Sequence, residues 1–270
     1  MPENRLDAVL ARLRAERKAA FVAYLAAGDP TLDATLDLVL ALEAVGVDIV
    51  ELGLPFSDPL ADGIVNQLAA QRALESGTTT AGVIGLIRRL RERSEIPLVL
   101  FTYLNPVYTY GFERFHADAA AAGADGVLLL DLPPDEAGAN AELTGTHGLR
   151  QIRLIAPTTP PDRMKQIGAT GEGFIYYVSR EGVTGEQSSL ADNIATNVAL
   201  IKSGSGVPVC VGFGISTPEQ AAEVAQVADG VVVGSAIVKT IAAHSQSPDL
   251  AERVAAFVRP LVQATKSTPR

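Results

Sequence analysis

Ala44-Val-Gly-Val-Asp-Ile-Val-Glu-Leu-Gly-Leu-Pro-Phe-Ser-Asp-Pro-Leu-Ala-Asp-Gly63 holds, in twenty residues, a helix end, a strand and a long polar loop. The glycine at 46 suits a helix C-terminal cap. Val47–Val50 then reads as a short apolar strand, and Gly53–Gly63 is rich in Gly, Pro, Ser and Asp, as a functional loop is. Glu51 stands at the carboxyl edge of the strand, where packing explains a carboxylate poorly.

The same unit recurs along the chain. Apolar, β-rich runs lie at 21–25, 49–52, 98–102, 126–130, 152–155, 174–178, 207–211 and 230–233. Segments of helical apolar spacing fall between them at 32–45, 67–75, 80–94, 112–122, 134–143, 162–167, 190–202 and 218–227. Alternation of this kind implies parallel strands. Eight units in 270 residues favour a closed (β/α)8 TIM barrel, as one domain spanning 1–270, over an open doubly wound sheet. An extra amphipathic N-terminal helix at 6–17 is placed to plug the bottom of the barrel. Glycines precede strands at Gly46, Gly123 and Gly148, marking that bottom face. The long connections 53–63, 103–111 and 179–189 mark the opposite face, from which barrel enzymes draw their catalytic groups.

Composition narrows the function. With 47% hydrophobic and 20% charged residues the chain can bury a large core. A net charge of −9 argues against nucleic acid, and the basic run Arg88–Arg93 on a helix reads as a solvated face. The amino terminus lacks a signal-like pattern, and no apolar run is long enough to span a bilayer, so a cytoplasmic protein is expected. The single cysteine, Cys210, sits in an apolar strand and reads as a buried, inert thiol.

Chemistry is narrowed by elimination. The five lysines, at 18, 165, 202, 239 and 266, fall on helices or tails, which disfavours imine catalysis. His116, His147 and His244 have no metal-ligand spacing. Neither a nucleophile elbow nor a Walker loop is present. Carboxylate acid/base work remains. Glu51 among apolar neighbours would have its proton affinity raised, although a core-edge ion pair would also account for it. Asp62 lies in a loop able to fold over the site, or else caps the following helix.

Gly234 and Ser235 follow a strand and open a helix, and Gly212-Phe-Gly214 follows the preceding strand. Paired loops of this kind cradle a phosphate in barrels. Gly182-Val-Thr-Gly185 is a third contributor, within a segment that reads as a mobile lid or as a plain surface loop. Tyr24, Tyr103 and Tyr176 stand near strand tops and suit a planar apolar substrate, though barrel packing accounts for them nearly as well.

Seven motifs together resemble the tryptophan synthase alpha chain family over essentially the whole length. They are Gly28-Asp-Pro30, Glu51–Gly63, Tyr103-Leu-Asn-Pro106, Asp131-Leu-Pro133, Ser179–Gly185, Gly212-Phe-Gly-Ile-Ser216 and Gly234-Ser-Ala-Ile-Val238. The resemblance implies retro-aldol cleavage of indole-3-glycerol phosphate to indole and glyceraldehyde 3-phosphate, without imine or metal. It implies Glu51 as general acid/base, Asp62 as partner of the indole N–H and Tyr176 as a supporting residue. Gly185, Gly214, Gly234 and Ser235 would bind phosphate, with Thr184 in loop closure. It also implies an alpha2beta2 complex with a beta chain that carries pyridoxal phosphate, docked near Pro55–Asp58 and 179–189, with no cofactor in this chain. The family often continues Pro-x-Ile-Gln after Asp-Gly, where this chain reads Ile64-Val-Asn66-Gln67, and Tyr24 stands where phenylalanine is common. A free-standing lyase and a non-catalytic, partner-activating barrel are the competing readings.

Overall fold

A computed structural model describes residues 4–179, 187–212 and 214–269, without the side chains of 187–193. Its strands are β1 (Ala20–Ala26), β2 (Ile49–Gly53), β3 (Leu98–Thr102), β4 (Gly126–Leu129), β5 (Arg150–Gln151), β6 (Arg153–Ile155), β7 (Ile175–Val178), β8 (Val209–Gly212) and β9 (Gly230–Val233). All pairings are parallel, in the order β5-β4-β3-β2-β1-β9-β8-β7-β6. The two ends of the sheet, β5 and β6, are consecutive pieces of one run interrupted at Ile152. The sheet therefore comes round on itself as a nearly closed barrel of eight runs, as the alternation predicts.

The helices around it are α1 (Arg5–Ala15), α2 (Leu32–Ala44), α3 (Ile64–Glu75), α4 (Thr80–Arg91), α5 (Leu104–Tyr110), α6 (Phe112–Ala122), α7 (Gly138–His147), α8 (Pro161–Ala169), α9 (Gln187–Gly204), α10 (Pro218–Val227), α11 (Ser235–His244) and α12 (Leu250–Ser267). Two differ from the sequence reading. The segment 103–111, read as a loop, contains α5; Pro106 falls in its first turn, where no backbone N–H is needed. The 18-residue α12 was not among the predicted segments, although Leu250, Val254, Val258, Leu261, Val262 and Thr265 are buried at helical spacing. Its internal Pro260 is tolerated because it lies on the exposed side.

Period-two alternation divides the strands between two apolar clusters. Outward residues such as Leu25, Val50, Leu100, Val127 and Val211 pack beneath the helices. Inward residues such as Val22, Ile49, Val99, Leu128, Phe174, Cys210 and Val232 fill the barrel, whose lower end is stoppered by Leu6, Leu10 and Leu13 of α1. Asn4 caps α1 through Leu6 N and donates to the carbonyls of Asp125 and Gly148 (both 2.9 Å), tying the plug to the bottom loops. Gly123 and Gly148 end their helices in the left-handed region that glycine adopts without strain.

A repeated polar device holds this lower face. Asp48, Asp125 and Asp229, each just before a strand, accept from Phe21, Leu98 and Val209 N–H on the neighbouring strand, at 2.7, 2.8 and 2.9 Å. Each also pairs with a cation, Lys266, Arg91 and Lys202 respectively. Arg91 is consequently not part of a solvated basic face: it is largely buried and also donates to the carbonyls of Gly123, Ser94 and Ile96. Buried charge is tolerable here because every member is paired.

Candidate active site

Inward positions near the upper ends of β1, β2, β3 and β7 bring Tyr24, Glu51, Phe101 and Tyr176 together. Tyr24 lies opposite Glu51, which lies opposite Val99 on β3. Two glycines make room for the phenols: a Cβ at Gly53 would stand 2.4 Å from the Tyr24 hydroxyl, and one at Gly212 2.3 Å from the Tyr176 hydroxyl. Tyr24 meets Phe101 edge-on, with centroids 5.1 Å apart. These rings form the walls of an apolar slot.

Glu51 is fully buried, and among the described residues neither carboxylate oxygen has a hydrogen-bond partner. The ion-pair reading of this residue is thereby excluded. Burial without compensation pushes its carboxyl from 4.5 up to about 8, because desolvation penalises the charged form. At pH 7 the group is roughly nine-tenths protonated. Burial also drives the phenols of Tyr24 and Tyr176 well above their ordinary range, with the neighbouring carboxylates Asp62 and Glu51 adding to the effect at both.

Asp62 sits at the rim on the loop between β2 and α3. Gly63, not Asp62, occupies the N-cap position of α3, and no side chain caps that end, so the capping reading fails. Instead, Asp62 Oδ2 accepts from the Tyr103 hydroxyl at 2.8 Å, and Oδ1 accepts from Asn66 Nδ2 at 3.5 Å. Burial raises this carboxyl, and the two donors oppose the rise. Tyr103 also accepts from Ala61 N (3.0 Å), pinning the loop. Its anchor further along is Arg72 on α3, which grips the buried Asp29 carboxylate in bidentate fashion at 2.9 and 2.7 Å.

Beside the ring slot, a cavity of about 170 Å³ is lined by Tyr24, Asn66, Tyr176, Gly214, Gly234 and Ser235, among others. Gly234 is the N-cap of α11 and no side chain caps that helix. By contrast, α10 is closed by a Thr217–Gln220 capping box. An uncapped N-terminus with a glycine entrance presents backbone N–H groups and the positive dipole end to an anion. A Cβ at Gly214 would meet nothing within 4 Å, leaving its backbone open to the cavity.

Tyr176, Gly214, Gly234 and Ser235 thus share one cavity, with Glu51 buried beside its Tyr24 and Tyr176 walls and Asp62 hydrogen-bonded to the Asn66 that lines it. Thr184 and Gly185 lie outside the described residues. His116 is buried between the Phe112 carbonyl (2.8 Å) and Asn140 (2.7 Å), and among the described residues no group of three or more His, Cys, Asp or Glu side chains is placed to hold a metal ion. Sequence reasoning missed the roles of Tyr103 and Asn66 as donors to Asp62, and of Gly53 and Gly212 as seats for the tyrosine hydroxyls. Such pairings join residues on different strands and leave no local pattern to read.

Comparison with known proteins gives the family and agrees with the barrel fold. The sequence profile of the tryptophan synthase alpha chain family matches residues 10–266. The tryptophan synthase alpha chain of Opitutus terrae is 50% identical over 264 residues, covering 97% of this chain and 99% of its own. That of Geobacter sulfurreducens is 48% identical over 261 residues, covering 97% and 98%. The crystal structure of tryptophan synthase subunit alpha from Legionella pneumophila str. Paris superimposes with a TM-score of 0.90 at 39% identity, covering 97% of this chain and 98% of that one. A profile match over most of the chain, close relatives of one name and a shared barrel together place this protein in the tryptophan synthase alpha chain family, lyases that cleave indole-3-glycerol phosphate.

Proposed function

We propose that Glu51 is the acid and base of the cleavage, Asp62 the partner of the indole N–H, and Tyr176 a wall and support of the ring. Gly214, Gly234 and Ser235 hold the phosphate, with Gly185 contributing and Thr184 closing the loop. The observation that carries this reading is the fully buried carboxyl of Glu51, without a partner among the described residues, whose proton affinity burial raises.

A carboxylic acid that is neutral at pH 7 can deliver its proton to the indole ring carbon bearing the glycerol chain. The adjacent hydroxyl then gives its proton to the resulting carboxylate. The carbon–carbon bond breaks, its electron pair returns to the ring, and the hydroxyl carbon becomes the aldehyde. One group gives and regains one proton, so the step balances without imine or metal. Asp62 accepts the N–H whose acidity rises as the ring becomes cationic, a contact that tightens in the transition state. Two carboxyls in unlike surroundings, one dry and one hydrogen-bonded, divide the two tasks.

The whole chain, 1–270, acts as one barrel domain in the cytoplasm, and among the described residues no helix is long and apolar enough to cross a membrane. Its partner is a beta chain, in an alpha2beta2 assembly. Leu60 on the loop that carries Asp62 and Ile64 at the start of α3 are large apolar side chains 84% and 66% exposed, close in sequence to Pro55–Asp58, which supports docking there. Pyridoxal phosphate belongs to the beta chain.

The test is indole release from indole-3-glycerol phosphate by wild type and Glu51→Gln, alone and with a beta chain. Loss of cleavage with retained phosphate-ester binding, and acceleration of wild type by the partner, are expected. Undiminished turnover by the variant would remove the mechanism. Fast release that ignores the beta chain would mark a free-standing lyase, and separate elution of the two chains at micromolar concentrations would refute stable assembly.

A further inference from the structure

The surroundings of Asn66 give its amide a use. It lies in the first turn of α3 and lines the same cavity as Tyr24, Tyr176, Gly214, Gly234 and Ser235. Its amide has two ends with different fates. Nδ2 donates to Asp62 Oδ1 at 3.5 Å, which sets the orientation, since a carboxylate oxygen accepts and cannot donate. Oδ1 is buried and has no partner among the described residues. An acceptor left bare in a cavity wall carries a desolvation cost that a ligand donor would relieve.

The substrate has few donors to offer. Its phosphate ester brings acceptors, its indole N–H goes to Asp62, and the hydroxyl on the carbon next to the ring goes to Glu51. The second hydroxyl of the glycerol chain, between ring slot and phosphate cradle, is left over. We propose that Asn66 accepts a hydrogen bond from this hydroxyl through Oδ1 while holding Asp62 in place through Nδ2, so that one amide ties chain recognition to the residue serving the ring. This rests on the roles given above to Glu51 and Asp62. Asn66 is a substrate-binding and positioning residue for the reaction, selecting a hydroxylated three-carbon chain over an alkyl one.

The experiment compares wild type with Asn66→Leu, which keeps the bulk and removes both polar ends, using two probes. Indole-3-glycerol phosphate reports KM and kcat; indole-3-propanol phosphate, with the same ring and phosphate but neither hydroxyl, reports Kd by competition. The variant is expected to raise KM for the glycerol substrate about three- to tenfold, the worth of one hydrogen bond. The Kd of the propanol analogue should stay within about twofold. The acid limb of kcat/KM should move to higher pH, because Asp62 loses a donor that favours its charged form. Equal weakening of both probes would reduce Asn66 to pocket shape, unchanged values for both would overturn the proposal, and an unmoved acid limb would overturn its positioning half. Wild type that fails to cleave the substrate at all would instead refute the roles of Glu51 and Asp62.

Discussion

Replacing Glu51 by glutamine should make the protein more stable, and increasingly so as the pH rises. In the folded chain burial holds the carboxyl at about 8, against 4.5 in its ordinary state. Between those values the native protein keeps a proton that the unfolded chain has released, so stability falls as pH rises, by up to about 1.4 kcal/mol per pH unit. Below 4.5 both states are protonated and the slope vanishes; above about 8 both are ionised and the loss is complete. Over the interval the loss amounts to about 5 kcal/mol, a large share of the stability of an ordinary domain. Glutamine fills the same space and does not titrate. Urea denaturation of wild type and Glu51→Gln, followed by far-ultraviolet circular dichroism from pH 5 to 9, isolates the contribution, because the other titrating groups cancel in the difference. The advantage of the variant should grow between pH 5 and 8 and then level off. A difference that stays constant would mean that Glu51 is solvated or paired in the folded state, and the argument for a neutral acid would fall.

Tyr103→Phe deletes the donor to Asp62 and the acceptor of Ala61 N–H. It should cost about 1 kcal/mol of stability by chemical denaturation and lower kcat/KM roughly tenfold, with the acid limb moved upward. Gly234→Val places a branched side chain at the entrance of α11, where even a Cβ would stand 3.4 Å from Tyr24. KM should rise and binding of inorganic phosphate should weaken; unchanged phosphate affinity would displace the cradle. Arg72→Met leaves the Asp29 carboxylate buried without its bidentate partner, and thermal and urea denaturation should show a loss of about 3–5 kcal/mol.

The barrel was legible because short β-branched runs alternate with helical spacing along the chain, and glycines at 46, 123 and 148 mark the helix ends before three of the strands. Glu51 stood out because a carboxylate in the run Ile49–Leu52 has no packing reason to be there. The phosphate glycines were legible as turns after late strands. What the sequence did not show is held by contacts between distant residues: Tyr103 meets Asp62 across 41 positions, and Arg72 meets Asp29 across 43. The device of Asp48, Asp125 and Asp229 leaves the local signature Ala-Asp-Gly-Val at 124–127 and 228–231, yet its meaning lies in the neighbouring strand's N–H and a remote cation. The helix α12 was missed although its pattern was strong, because eight strand-and-helix units already accounted for a barrel.

The claim that one buried carboxyl both gives and takes the proton is tested most directly by indole release in single turnovers at saturating indole-3-glycerol phosphate, from pH 6 to 10. Wild type should hold its rate to about pH 8 and then lose about tenfold per pH unit as Glu51 ionises, while Glu51→Gln releases indole at least about a thousandfold more slowly at every pH. A wild-type rate unchanged to pH 10, or a variant within tenfold of it, would contradict the account.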